Sequence, residues 1–110
     1  MVIDRSSEPM DTWSVYIIRD GTRSLYTGIT TDVNRRFQEH VERGPRAAKF
    51  TRAKKRLELV YVCRIGNRSL VSKVEYRLKR LKKSEKEAVV QRGESARLLL
   101  ERLGLYGEVS

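Results

Sequence analysis

Cysteine is almost missing from this chain. Cys63 stands alone, so no intramolecular disulfide can form and nothing points to an oxidising compartment. No second cysteine or adjacent histidine supports a catalytic thiol, and Cys63 reads as a small core hydrophobe on a strand, alternating with Leu57, Leu59, Tyr61 and Ile65. Long apolar runs are missing too: none approaches the ~20 residues of a membrane span, and the N-terminus has no signal-peptide pattern, so the cytoplasm is the expected location. Acidic residues are in deficit, 14 against 24 Lys and Arg, which leaves a net charge of +10 and a pI near 10.2. No strongly apolar anchor accompanies that charge, so the expected partner is nucleic acid and not a membrane.

What is present is organised around Trp13 to His40. SVYII and SLYTGI are short β-branched and aromatic runs separated by the turn residues Asp20-Gly21-Thr22-Arg23, and they read as a hairpin of strands near 13–19 and 24–29. Tyr16 and Tyr26 share a face only if the paired residue numbers sum to an even value. A four-residue loop with Arg19 opposite Ser24 would separate them. A three-residue loop, Asp20-Gly21-Thr22, would set Tyr16 directly across from Tyr26, so a cooperating pair demands an odd loop. Asp32 or Thr31 then caps a helix with Val33, Phe37 and Val41 inward, and Gly44-Pro45 is expected to stop it. Gly28, inside a strand, is expected to admit a close approach by the following helix or by substrate.

The remainder reads as one domain over residues 12–104, between a polar leader (1–11) and a short tail (105–110). At this length a modest core buries about 60–70% of the unfolded surface. Residues 46–56 interleave Phe50 with Arg46, Lys49, Arg52, Lys54, Lys55 and Arg56, a pattern suited to phosphate contacts with one stacking aromatic; Phe50 reads equally well as docked on the core. A third strand near 57–65 ends at Gly66-Asn67. Asn67 or Ser69 caps a helix whose Val71, Val74, Leu78 and Leu81 face inward, with Glu75 beside that stripe and Lys79 one turn on. Ser84-Glu85-Lys86-Glu87 reads as a capping box opening another helix that Gly93 closes, and a last helix near 95–103 docks through Leu98, Leu99 and Leu103.

Taken together, these residues resemble the GIY-YIG nuclease superfamily, and most closely its small stand-alone bacterial members (the YhbQ-like group). Ser14-Val15-Tyr16 stands in the place of GIY and Tyr26-Thr27-Gly28 in the place of YIG. Arg36 follows the second glycine by eight residues, His40 lies one helical turn further, and Glu75 sits on a later helix. The likeness runs over roughly residues 12–92. Ser14 replaces the first glycine of the motif, and nothing after Glu75 matches the asparagine that many members carry.

The resemblance implies an α/β (α+β) domain with a small, mainly antiparallel three-stranded sheet flanked by helices. It implies a metal-dependent DNA endonuclease, in repair or recombination, using one Mg²⁺ or Mn²⁺ ion. On that reading Glu75 holds the cation, Tyr16 takes a proton from the attacking water and Tyr26 orients water or phosphate. Arg36 grips phosphate oxygens, and His40 binds phosphate or assists proton transfer. Lys49, Arg52, Lys54, Lys55 and Lys79 are the expected DNA-contacting cations. The rival is a non-catalytic nucleic-acid-binding module of the same fold, in which Glu75 merely pairs with Lys79 at i, i+4. A weaker third reading is a basic partner in a larger nucleoprotein assembly.

Overall fold

The computed structural model describes residues 12–47 and 56–109. The expected leader, and with it Lys49, Phe50, Arg52, Lys54 and Lys55 of the basic run, lies outside the described residues.

The β-branched run of β1 (Trp13–Arg19) forms the middle of a three-stranded antiparallel sheet, with β2 (Leu25–Thr30) on one side and β3 (Glu58–Gly66) on the other. A central strand is covered on both faces, and Val15, Tyr16, Ile17 and Ile18 are all buried. The hairpin loop has three residues, as parity requires, but they are Gly21-Thr22-Arg23, one position later than expected. The Asp20 N–H donates to the Ser24 carbonyl (3.0 Å) and the Arg23 N–H donates to the Asp20 carbonyl (2.8 Å). Arg23 takes the left-handed conformation (φ 72°) that ends such loops. The Asp20 side chain decides the shift. Its Oδ1 accepts from the Thr22 N–H (2.8 Å), the Thr22 hydroxyl (2.6 Å) and the Ser24 N–H (3.0 Å), so Asp20 is fastened as the closing strand residue. The register sum stays even. Tyr16 therefore lies opposite Gly28, with Tyr26 opposite Ile18 on the same face.

This register explains Gly28, and the explanation differs from the expected approach of a helix or substrate. The Tyr16 ring itself fills the space over the glycine. A Cβ at position 28 would sit 2.5 Å from Tyr16 Cζ and still closer to the hydroxyl oxygen.

The even-numbered face of the hairpin meets α1 (Val33–Ala47). Asp32 caps it, Oδ1 accepting from the Arg35 N–H at 3.1 Å. The helix runs through Gly44-Pro45 and does not stop there. Proline's fixed φ is itself helical, and with two helical residues left its missing N–H costs only a bond in the final turn. Val33 and Phe37 are half-buried, but Val41, expected in the core, is 39% exposed.

The other face carries the main core. There Val15, Ile17, Tyr61 and Cys63 meet Val71, Val74 and Leu78 of α2 (Arg68–Lys79), together with apolar residues of α3 (Lys83–Arg92) and α4 (Ala96–Arg102). Bulges in the β1–β3 pairing, between Trp13 and Ser14 and between Ile17 and Ile18, break the alternation expected along β3. Leu59 consequently pairs with Ile18, and Leu57, Leu59 and Ile65 are only half-buried. Asn67 caps α2 by accepting from the Leu70 N–H at 2.8 Å. The next helix begins one residue before Ser84: Glu85 reaches back to the Lys82 N–H (3.1 Å), and Lys82, with no side-chain acceptor, stands at the cap. Gly93 closes it in the left-handed conformation, φ 58°. In α4 it is Leu100, with Leu99 and Leu103, that turns inward, while Leu98 is 52% exposed. Leu105, the first residue of the expected tail, is fully buried, and a 3-10 turn follows at Tyr106–Val109.

Polar ties hold the helices to this frame. Arg19 donates to Glu87 at 2.6 Å, and Lys83 donates to the Arg23 carbonyl at 2.6 Å, so α3 grips both the strand and the loop of the hairpin. Glu94 is buried, with its backbone carbonyl accepting from Tyr61 (2.7 Å) and its carboxylate held by a two-pronged Arg102. The Arg102 hydrogen bonds hold the Glu94 carboxyl below the usual carboxylate range, against the opposing effect of burial. Among the described residues no helix is long and apolar enough to cross a membrane.

Two outcomes are expected. In Gly28→Ala the methyl group displaces the Tyr16 ring, costing about 1–3 kcal/mol; thermal unfolding measures the loss, and much of it disappears when Tyr16→Ala is already present. Because the folded Glu94 pKa is depressed, its stabilisation is fully present above the ordinary value of 4.5 and declines as pH falls through the folded value. Urea melts of wild type and Glu94→Gln should therefore differ at neutral pH and converge in acid. A gap that persists unchanged at low pH would contradict this.

Candidate functional site

The even face of the hairpin and the inner side of α1 bring three of the expected site residues together. Tyr16 projects from the middle of β1, nearly buried, with its hydroxyl 3.0 Å from His40 Nε2 and the two rings edge to face at 5.9 Å. Depending on the tautomer, the phenol donates to Nε2 or accepts from it. Arg36, one helical turn before His40, donates through Nη1 to Glu39 Oε1 at 2.9 Å. That carboxylate, followed by the Tyr16 hydroxyl, raises the guanidinium pKa still further, so Arg36 is a permanent cation beside the phenol. The helical period accounts for the grouping: positions 36 and 40 are one turn apart and project to the same side.

Tyr26 stands on the same face, diagonal to Tyr16, and is 40% exposed. Asp20, just past the end of β1, is within reach of the Tyr26 hydroxyl. Burial alone would raise its carboxyl pKa, but donors from Thr22 and Ser24, joined by the Tyr26 hydroxyl, outweigh burial and hold it below the usual range. Asp20 and Glu39 thus anchor the environments of Tyr26 and Arg36, and neither was among the residues expected in the site. The i, i+3 spacing of Arg36 and Glu39 was the available signal for one. The turn chemistry at Asp20 was visible, but its reach to Tyr26 depends on the register.

Glu75 comes from a different element. It lies on α2, which packs through Val71, Val74 and Leu78 against the face of Val15 and Ile17, opposite the face of Tyr16. Its Oε2 is 3.2 Å from Lys79 Nζ, and the Glu75 side chain is 26% exposed. Among the described residues no other group bonds this carboxylate, and no set of three or more His, Cys, Asp or Glu has metal-holding geometry. A single, partly exposed carboxylate with an oxygen available fits a hard cation that keeps most of its waters, as Mg²⁺ does, and does not fit a fully protein-ligated ion. Lys79, with 54% of its side chain exposed, is the one expected DNA-contacting cation within the described residues.

The model of the GIY-YIG catalytic domain matches residues 12–88. A UPF0213 protein of Citrobacter koseri is 45% identical over 91 residues, covering 83% of this chain and 89% of the relative. The UPF0213 protein YhbQ of Escherichia coli O127:H6 is 46% identical over 84 residues, covering 76% of this chain and 82% of the relative. The solution NMR structure of the UPF0213 protein BH0048 from Bacillus halodurans shares 34% identity and a TM-score of 0.47, covering 73% of this chain and 83% of that one. With its hairpin tyrosines, α1 arginine and histidine, and 77 matched residues of domain model, the chain belongs to the GIY-YIG family, a nuclease-type superfamily.

Proposed function

We propose that this protein is a metal-dependent DNA endonuclease acting in repair or recombination. The observation that supports it most directly is the Tyr16 hydroxyl held 3.0 Å from His40 Nε2 beside the permanent charge of Arg36. An ordinary phenol, with a pKa of about 10, is a poor base at neutral pH. An imidazole within hydrogen-bond reach can take the phenol's own proton as the phenol receives one from water. Tyr16 in this reading accepts a proton from the attacking water and passes its own to His40. Arg36 keeps N–H groups beyond the one given to Glu39, and these suit the equatorial oxygens of the phosphate. Tyr26, exposed on the same face, orients the water or a phosphate oxygen.

Glu75 would hold the cation, either Mg²⁺ or Mn²⁺, which when bound supplies Lewis-acid stabilisation of charge at phosphorus and at the leaving oxygen. Oε1 has no protein partner among the described residues and could take the cation with Lys79 still at Oε2. That ion pair is also the observation that favours the second reading, a non-catalytic nucleic-acid-binding module, in which Glu75 and Lys79 simply brace α2.

Nicking of supercoiled, single-stranded and branched DNA, with Mg²⁺, Mn²⁺ or chelator, decides between the two. Tyr16→Phe keeps the ring over Gly28 and loses only the hydroxyl, so a fall of at least about 100-fold in nicking with little change in melting temperature is expected. Glu75→Ala and Glu75→Gln should abolish nicking while DNA affinity holds or rises slightly; full activity in either variant would end the one-metal reading. Affinity for duplex DNA is expected to fall with salt at a log–log slope of about −3.5 to −5.5, the response of ~4–6 neutralised phosphates. A flat salt response would remove DNA as the partner.

A further inference from the structure

Helix α2 carries two stripes side by side. Glu75 and Lys79 form one; Tyr76 and Arg80, rotated by about 100° round the helix, form the next. Tyr76 is 63% exposed, more than any other large apolar side chain among the described residues. The Arg80 guanidinium lies over its ring, 5.4 Å from the centroid. With Arg77, Leu81, Arg102 and Leu103 these two line an open groove of about 320 Å³.

The three guanidinium groups of the groove are in different states. Arg102 is neutralised by the fork it makes to buried Glu94. Arg77 donates to the Leu103 carbonyl at 2.9 Å and the Gly104 carbonyl at 3.5 Å, bonds that fix its position and leave its charge uncompensated. Arg80 faces Tyr76, and among the described residues neither Arg77 nor Arg80 has a carboxylate partner. Leucine side chains, one open aromatic face and two uncompensated cations therefore share one concave surface on a chain of net charge +10.

We propose that this groove binds an unpaired segment of the DNA strand next to the cleaved phosphate, with one base stacked on Tyr76 and its flanking phosphates on Arg77 and Arg80. The choice of DNA rests on the nuclease reading; the preference for an unpaired strand does not. Bases in a duplex hide their faces in their own stack, whereas an unpaired base can lie on an aromatic ring and against apolar side chains while cations hold its backbone. The location is compatible with this, because Tyr76 and Arg80 lie beside the Glu75–Lys79 stripe on the helix. The competing account is that Tyr76 and Arg80 are an i, i+4 pair that only supports the helix.

A second exposed pair of the same chemistry supplies the control. Arg97 lies 5.6 Å from the ring centroid of Tyr106, and neither residue lines the groove. Fluorescence anisotropy with a labelled oligo-dT and a labelled hairpin duplex, both in chelator, reads binding without cleavage. Wild type should prefer oligo-dT. Tyr76→Ala should weaken oligo-dT binding roughly tenfold and duplex binding far less, with Tyr76→Phe near wild type and Tyr106→Ala unchanged. Melting curves confirm that each variant is folded. Oligo-dT binding that is the same in Tyr76→Ala as in wild type, or lost equally in Tyr106→Ala, overturns the proposal, as does tighter, Tyr76-dependent binding of oligo-rU. A protein that binds through Tyr76 yet nicks nothing keeps the groove and loses the endonuclease reading. One that nicks DNA yet binds oligo-dT equally without Tyr76 does the reverse.

Discussion

The Tyr16 ring occupies the space that a side chain at position 28 would need, and the candidate site depends on that substitution of one residue's volume for another's. Gly28 leaves a gap on the even face of the hairpin, directly across from Tyr16. The ring fills it, which buries most of the phenol and aims its hydroxyl along the sheet to His40 on α1. An aromatic ring laid over a cross-strand glycine is a known means of pinning strand register. Here the same contact also points a reactive oxygen. The two functions cannot be separated, because a register slip of one residue would carry Tyr16 to the opposite face.

The sheet divides the molecule into two kinds of surface. On the odd face, β1 and β3 meet three helices through a continuous apolar cluster of valines and leucines with Tyr61 and Cys63. On the even face, α1 makes a thinner contact: Val33 and Phe37 are half-buried and Val41 is exposed. A thick core on one side lets the other tolerate polar groups. Arg36, Glu39, His40 and Tyr16 form a hydrogen-bonded group there, where the sheet's rigidity comes from contacts made on its far side. The buried Glu94 carboxylate is held by both prongs of Arg102.

Charge follows the same division of labour. Acidic side chains within the described residues are largely spent on structural ties: Asp20 on the hairpin loop, Glu85 on a helix cap, Glu87 on Arg19 and Lys83, and Glu94 on Arg102. The excess of Lys and Arg is left to define how the surface meets a polyanion. Arg77 is informative in this respect, because carbonyl oxygens rather than a carboxylate hold it, which orders the guanidinium and preserves its charge.

Local patterns in the sequence were enough to determine the hairpin, the Gly93 cap and the inward valines of α2, while they left the loop length open and offered Asn67 or Ser69 as the α2 cap. Each depends on propensity, periodicity or turn chemistry within a few residues, and these act in the unfolded chain as well. It was the resemblance to the GIY-YIG family, through the order and spacing of its motifs, that singled out Tyr16, Tyr26, Arg36 and His40 as candidates. Tertiary structure decided the rest. The loop moved by one residue because the Asp20 carboxylate captured three donors beyond it. Bulges against β1 redistributed the apolar residues of β3, and Leu100 displaced Leu98 from the core through a rotation of α4 that short periodicity does not specify. The role of Gly28 belongs wholly to that second category: a glycine in a strand announces a close approach, but only cross-strand register determines which group approaches.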